Sequence, residues 1–185
     1  MSFTRHISLL LFIAVLSSCG PSSSSNIIFI SHVNPPFVLY AAQYVGAHER
    51  HNRTQLRDLM GVDPVRTEWC AAFLNAVLNQ HGIPGSESVS DHPLMARSFL
   101  EWGESVDVPR RGDIMVFRRG NSGWEGHVAI YLGTIEKNGR TYYRILGGNQ
   151  DNEVNVSDYP ASLLLDIRRI NNPWQRAPRV TLALL

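Results

Sequence analysis

The chain has 185 residues, of which 44% are apolar and 18% charged, with four Trp, six Tyr and seven Phe. That is enough for one domain of ordinary size and short for two, and it excludes a wholly disordered chain or a repetitive fibre. Seventeen Lys and Arg against 16 Asp and Glu leave a net charge of +1, with no positive excess of the kind that binds nucleic acid by counterion release. The two cysteines, Cys19 and Cys70, stand in dissimilar surroundings and make no disulfide framework.

In chain order, Arg5 and His6 precede an apolar run, Ile7–Val15, that ends in small polar residues. This is the layout of an export signal over residues 1–18, too short to span a bilayer. Without that segment the chain carries 16 charges of each sign and a net charge of zero. Leu16-Ser17-Ser18-Cys19 resembles the lipobox of bacterial lipoproteins. The resemblance implies lipidation of Cys19 and a membrane anchor. Gly20, where proteins retained at the inner membrane carry Asp, favours an outer-membrane lipoprotein facing the periplasm. Residues 19–35 read as a tether, because the serines of Pro21–Ser25 have no apolar surface to bury. The Ile-Ile-Phe-Ile patch inside Asn26–Ser31 is tether, edge strand, docked segment or lid. Residues 36–172 form the domain and 173–185 a C-terminal tail.

The domain begins with helices. Val38, Ala41, Ala42 and Val45 place one over about Pro36–Ala47, and a second covers Arg50–Met60, ending at Gly61. A third starts after Thr67, a plausible N-cap, with Cys70, Phe73, Leu74, Val77 and Leu78 on one face, and closes at Gly82. Asp91-His92-Pro93 opens a fourth, with Met95, Phe99 and Trp102 facing inward and Gly103 at its end. After Gly103 the period changes from 3.6 to 2. Strands follow at Ile114–Phe117, His127–Leu132 and Thr141–Leu146, with weaker ones at Val154–Ser157 and Leu164–Arg168. Asn138-Gly139 marks a tight hairpin. Helices first and an antiparallel sheet second is an α+β arrangement with the helices on one side of the sheet.

The hairpin register brings chemistry together. With Asn138 and Gly139 as the loop, His127 faces residue 150, beside Asn149, and a slip of one residue leaves His127 and Asn149 on adjacent strands within reach. Gly147-Gly148 lets backbone approach closely or lets substrate pass. Cys70, in the first turn of its helix, meets unpaired N–H groups and the positive dipole end, which favour a thiolate and could hold an oxyanion. A thiol, an imidazole and an amide make a cysteine-nucleophile set. Each has an ordinary reading when taken singly: Cys70 as a buried small hydrophobe, His127 as a satisfied turn residue, Asn149 as a turn former. Spacing alone does not bring Cys70 to the other two. No Cys-x-x-Cys or His-Glu-x-x-His is present, so a metal site is disfavoured.

Four segments carry a wider resemblance. Thr67-Glu68-Trp69-Cys70-Ala71-Ala72-Phe73-Leu74-Asn75, Pro109–Phe117 with its Gly112-Asp113, Gly126–Gly133 with His127, and Gly147-Gly148-Asn149-Gln150 resemble, in order and spacing, the CHAP (cysteine, histidine-dependent amidohydrolase/peptidase) proteins. These belong to the NlpC/P60-like, papain-related class of cell-wall hydrolases. The likeness runs from about Ala41 to about Ile170, roughly 130 residues. It implies a papain-like α+β fold, with Cys70 as nucleophile, His127 as general base and then acid, and Asn149 as the residue that orients the ring. Ala71 and Trp69 fall at the oxyanion or cleft wall, with Trp69 equally placed for the core. Asp113, Asp151 and Gln150 are possible supports: Asp113 more as a tie for the strand start than as a base, Asp151 as a nearby carboxylate where many relatives have Glu or Asp at the third position. The implied reaction is hydrolysis of a peptidoglycan amide, either N-acetylmuramoyl-L-alanine or a stem-peptide bond, with no cofactor. A non-catalytic wall-binding or scaffolding lipoprotein on the same fold and a cysteine acyltransferase remain as alternatives.

Overall fold

A computed structural model describes residues 34–170. The export segment, Cys19, the Ser-rich tether with its Ile27–Ile30 patch and the tail from 173 lie outside the described residues. Three α-helices come first: α1 (Pro36–Ala42), α2 (Arg53–Met60) and α3 (Cys70–Asn79). Pro36 opens α1 at a position where its missing N–H costs nothing. α1 is shorter than the run expected to reach Ala47, because the chain turns at Gly46 (φ 89°), whose N–H bonds the Val154 carbonyl. α2 stops at Gly61 (φ 72°), a left-handed cap open to glycine without a Cβ penalty. α3 buries eight of its ten residues and is the central helix. Trp69, not Thr67, holds its N-cap position, with no side-chain capping bond.

The fourth helix expected from Asp91 is absent. Asn75 of α3 takes that segment's polar groups instead, donating through Nδ2 to the Pro93 carbonyl (2.9 Å) and Ser86 Oγ (3.1 Å) while Oδ1 accepts from the Ser86 N–H (2.8 Å). Only a 3-10 turn, Ala96–Glu101, follows. Phe99 and Trp102 are buried as expected, but Met95 stays exposed. Among the described residues no helix is long and apolar enough to cross a membrane.

Six antiparallel strands form one sheet: β1 (Glu104–Ser105), β2 (Ile114–Arg118), β3 (Gly126–Lys137), β4 (Arg140–Gln150), β5 (Glu153–Pro160) and β6 (Leu164–Arg169), in the order β1-β6-β2-β3-β4-β5. Asn138 (φ 51°) and Gly139 (φ 69°) make the hairpin turn expected of them. β3 and β4 run well past the alternating stretches that announced them.

The sheet curls. Tyr159 of β5 packs on Phe117 of β2 with ring centres 5.1 Å apart, although β5 lies three strands from β2. A flat sheet would separate them by about 14 Å at roughly 4.8 Å per strand. Met115, Phe117, Ala129, Tyr131, Ile145 and Ile167 fill the concave side as a small second core. The main core lies on the other face, where Ile114, Val116, Val128, Ile130 and Leu146 meet Cys70, Ala71, Phe73, Leu74 and the rest of the helical layer.

Candidate active site

The start of α3 is seated against the middle of the sheet, and Gly148 of β4 makes room for it: a Cβ there would stand 2.5 Å from Trp69 Cζ3 and 2.8 Å from Phe73 Cβ. Gly147 faces the other way, where a Cβ would stand 2.8 Å from Ala129 Cβ and 3.5 Å from His127 Nε2. Cys70, 3% exposed, lies at the N-terminal end of β3, with the Val128 backbone N–H near the sulfur. The first main-chain bond of α3 runs from Phe73 N–H to the Trp69 carbonyl, so the N–H groups of the helix start have no partner within the helix.

His127, the residue before Val128, is fully buried. Its ring is sandwiched on one side by Tyr159, centroids 4.9 Å apart at 18°. Nε2 meets Gln150 Oε1 at 3.1 Å, and Nδ1 is buried with no hydrogen-bond partner. The orientation of the Gln150 amide decides the tautomer. Its NH2 donates to the Asn155 carbonyl (2.7 Å), Asn155 Oδ1 (2.8 Å) and the Gly147 carbonyl (3.3 Å), all acceptors. The amide oxygen is thereby turned to His127, and an oxygen only accepts. Nε2 must then carry the proton, which leaves Nδ1 as a bare lone pair.

The partner of the ring is thus Gln150 and not Asn149, the residue expected to orient it. Two irregularities, one in β3 and one in β4, shape this corner. The β3–β4 register slips by one at Leu132 of β3, and its last pair is Ile130↔Leu146. The β4–β5 register slips again between Gly147 and Gln150, where Asn149 adopts φ 56°. This bulge rotates Asn149 away, and its Nδ2 donates to Glu68 Oε2 at 2.7 Å.

The other sequence candidates separate. Trp69 is core: fully buried, edge-on to Phe73, its indole N–H donating to Glu49 at 3.4 Å. Ala71 is buried, with its backbone N–H near the Cys70 sulfur. Asp113 sits at the far end of β2, clamped by Arg169 (2.6 and 2.9 Å) and the Arg110 N–H (2.6 Å), and ties the strand start as expected. Asp151 is exposed in the β4–β5 turn (φ 55°), where it offers nothing to the ring.

Arg119 belongs to the site and was not singled out in the sequence. It follows β2, lies beside Cys70, donates to the Tyr159 hydroxyl (3.1 Å) and approaches Glu68 to 4.0 Å. Tyr159, Asn155 and Glu68 join with it. Tyr159 and Asn155 share β5, and the sheet curl and the β4 bulge bring that strand to Arg119 after β2 and Glu68 before α3. The one signal open to sequence reading was Glu68, two residues before the thiol.

Electrostatics set the resting state. Burial pushes the Cys70 thiol up; the Val128 N–H, the Arg119 charge and the Ala71 N–H pull the other way, and Glu68 adds to the rise. Burial also pushes His127 down to about 3, with Arg119 adding to the effect and the bond to Gln150 opposing it. The helix start was expected to hold a thiolate; here loss of water outweighs it, and the free protein has a neutral thiol at the start of α3 and a neutral imidazole at the start of β3, with no hydrogen bond between Cys70 and the unpartnered Nδ1.

Comparison with known proteins agrees with this architecture. Residues 62–149 match the family model described as CHAP domain, a stretch that holds Cys70, His127 and Asn149. No curated protein and no solved structure matches the chain. Over residues 62–149 the chain is similar to the CHAP domain, a family that consists generally of hydrolytic cysteine, histidine-dependent amidohydrolases and peptidases, and the α+β architecture is consistent with its papain-like fold.

Proposed function

We propose that the protein hydrolyses an amide bond of peptidoglycan with Cys70 as nucleophile, His127 as general base and then acid, and Gln150 as the residue that fixes the imidazole. The observation that carries this reading is the Gln150 amide, held by three acceptors so that its oxygen fixes the proton on His127 Nε2 and frees Nδ1. Cys70 gives its proton to Nδ1 as sulfur adds to the carbonyl carbon. The N–H groups at the start of α3 stabilise the tetrahedral oxyanion. The imidazolium protonates the leaving amine, and the thioester remains on Cys70. Water, deprotonated by His127, then releases the acid and restores the thiol.

The Tyr159 stack and the Gln150 bond hold the ring in one orientation. Burial leaves it unprotonated at neutral pH but lowers its basicity while raising the thiol, so transfer of the Cys70 proton has to be coupled to attack on bound substrate. We further propose that Cys19 carries lipid and places the domain on the periplasmic side of the outer membrane, within reach of the wall. The test of the enzymatic reading is digestion of purified sacculi by wild type and Cys70→Ala, with mass analysis of the soluble products. Fragments with new amine and carboxyl ends from wild type alone are expected. Equal release by Cys70→Ala would overturn the mechanism.

A further inference from the structure

Beside Cys70 lies a cleft of about 300 Å³ with a mixed lining. Its apolar members Leu94, Met95 and Trp124 are all exposed, Trp124 at 65%, and its charged members are Glu68, Arg119 and Glu125. The exposed indole is not on an untethered loop. Arg97 donates to the Glu125 carbonyl (2.7 Å) and the Ser122 carbonyl (3.4 Å), and the Glu125 N–H bonds Ser122 Oγ (3.1 Å), so the segment that presents Trp124 is held on both sides of it.

A solvent-facing indole held in a cleft together with exposed Leu94 and Met95 is apolar surface of the kind that receives a ligand. Charge narrows the choice of ligand. Two carboxylates against one guanidinium give the cleft lining an excess of negative charge, which disfavours the carboxylate-bearing stem peptide and leaves acceptors for hydroxyl groups. A pyranose ring has the matching chemistry: an apolar C–H face for an indole and hydroxyls for carboxylates. On the peptidoglycan reading above, on which this rests, we infer that the cleft receives a neutral sugar of the glycan strand, stacked on Trp124. The bond presented to Cys70 is then the amide joining the sugar's lactyl group to the first residue of the stem peptide.

The experiment uses Cys70→Ala, so that binding is read without turnover, and two probes: muramyl dipeptide and the same dipeptide lacking the sugar. Calorimetry gives affinities, and indole fluorescence reports the stack. Muramyl dipeptide binds at least about 10-fold tighter than the dipeptide and shifts the emission, while adding Trp124→Ala removes about 10-fold of affinity for muramyl dipeptide only. Trp124→Phe keeps part of it. In active protein, Trp124→Ala raises KM for sacculi more than it lowers kcat. Equal binding of the two probes, or muramyl dipeptide binding indifferent to Trp124→Ala, overturns the sugar subsite. Those outcomes are separate from failure of the hydrolase reading, which Cys70→Ala digestion decides alone.

Discussion

Acid will destabilise this protein through His127 well before its carboxylates titrate. The ring is fully buried and burial holds it down to about 3, against 6.5 for an ordinary histidine. The unfolded chain therefore binds a proton near pH 6.5 that the folded chain refuses, and stability falls as pH drops through 6.5 towards 3. Each pH unit in that window removes about 1.4 kcal/mol, so the loss is about 2.7 kcal/mol at pH 4.5 and on the order of 4 to 5 kcal/mol near pH 3. Against a typical domain stability of about 5–15 kcal/mol this is a large fraction. The assay is urea unfolding at pH 7.5, 6.5, 5.5 and 4.5 for wild type and His127→Gln. Every other titrating group is common to both, so the difference in slope isolates His127. The wild type loses the additional 2.7 kcal/mol or so between pH 6.5 and 4.5. Parallel pH profiles would refute the claim that the ring is held neutral by burial.

Three further outcomes follow from named contacts. Gln150→Leu removes the acceptor at His127 Nε2 and lowers kcat/KM by about 100-fold or more. Asn149→Gly, which keeps the φ 56° backbone and removes only the contact to Glu68, costs less than about 10-fold; kinetics on soluble muropeptides compare the two, and the reverse order would return the orienting role to Asn149. Gly148→Ala forces a methyl into Trp69 and Phe73 and costs about 1–3 kcal/mol by overpacking, read as a lower urea midpoint with reduced activity. Asp113→Ala leaves the Arg169 guanidinium without its carboxylate and costs about 3–5 kcal/mol, while the folded fraction retains kcat; a selective loss of kcat would place Asp113 in the chemistry.

Much of the candidate site was legible in the residues because its thiol and its imidazole sit on regular elements. Cys70 opens an apolar helix and His127 opens an alternating strand, so local period locates both. The residue bonded to the ring is the one that the hairpin count set opposite His127, residue 150, whereas the resemblance had pointed to its neighbour Asn149. The bulge in β4, with Asn149 at φ 56°, turns that neighbour away to Glu68, and nothing local in the sequence announces it. The segment after Asp91 looked helical because Met95, Phe99 and Trp102 are spaced for it; Asn75, a polar residue on an apolar helix, instead takes its Pro93 carbonyl. Arg119 and Tyr159 carried no local signal at all. Only a sheet that curls until β5 meets β2 sets them around the imidazole.

The proton on His127 is the quantity on which the mechanism turns, and nitrogen NMR of imidazole-labelled protein reads it directly at neutral pH. The account predicts a neutral ring with its proton on Nε2, hydrogen-bonded to Gln150, and an unprotonated Nδ1. A proton on Nδ1, or a fully protonated ring at pH 7, would contradict it.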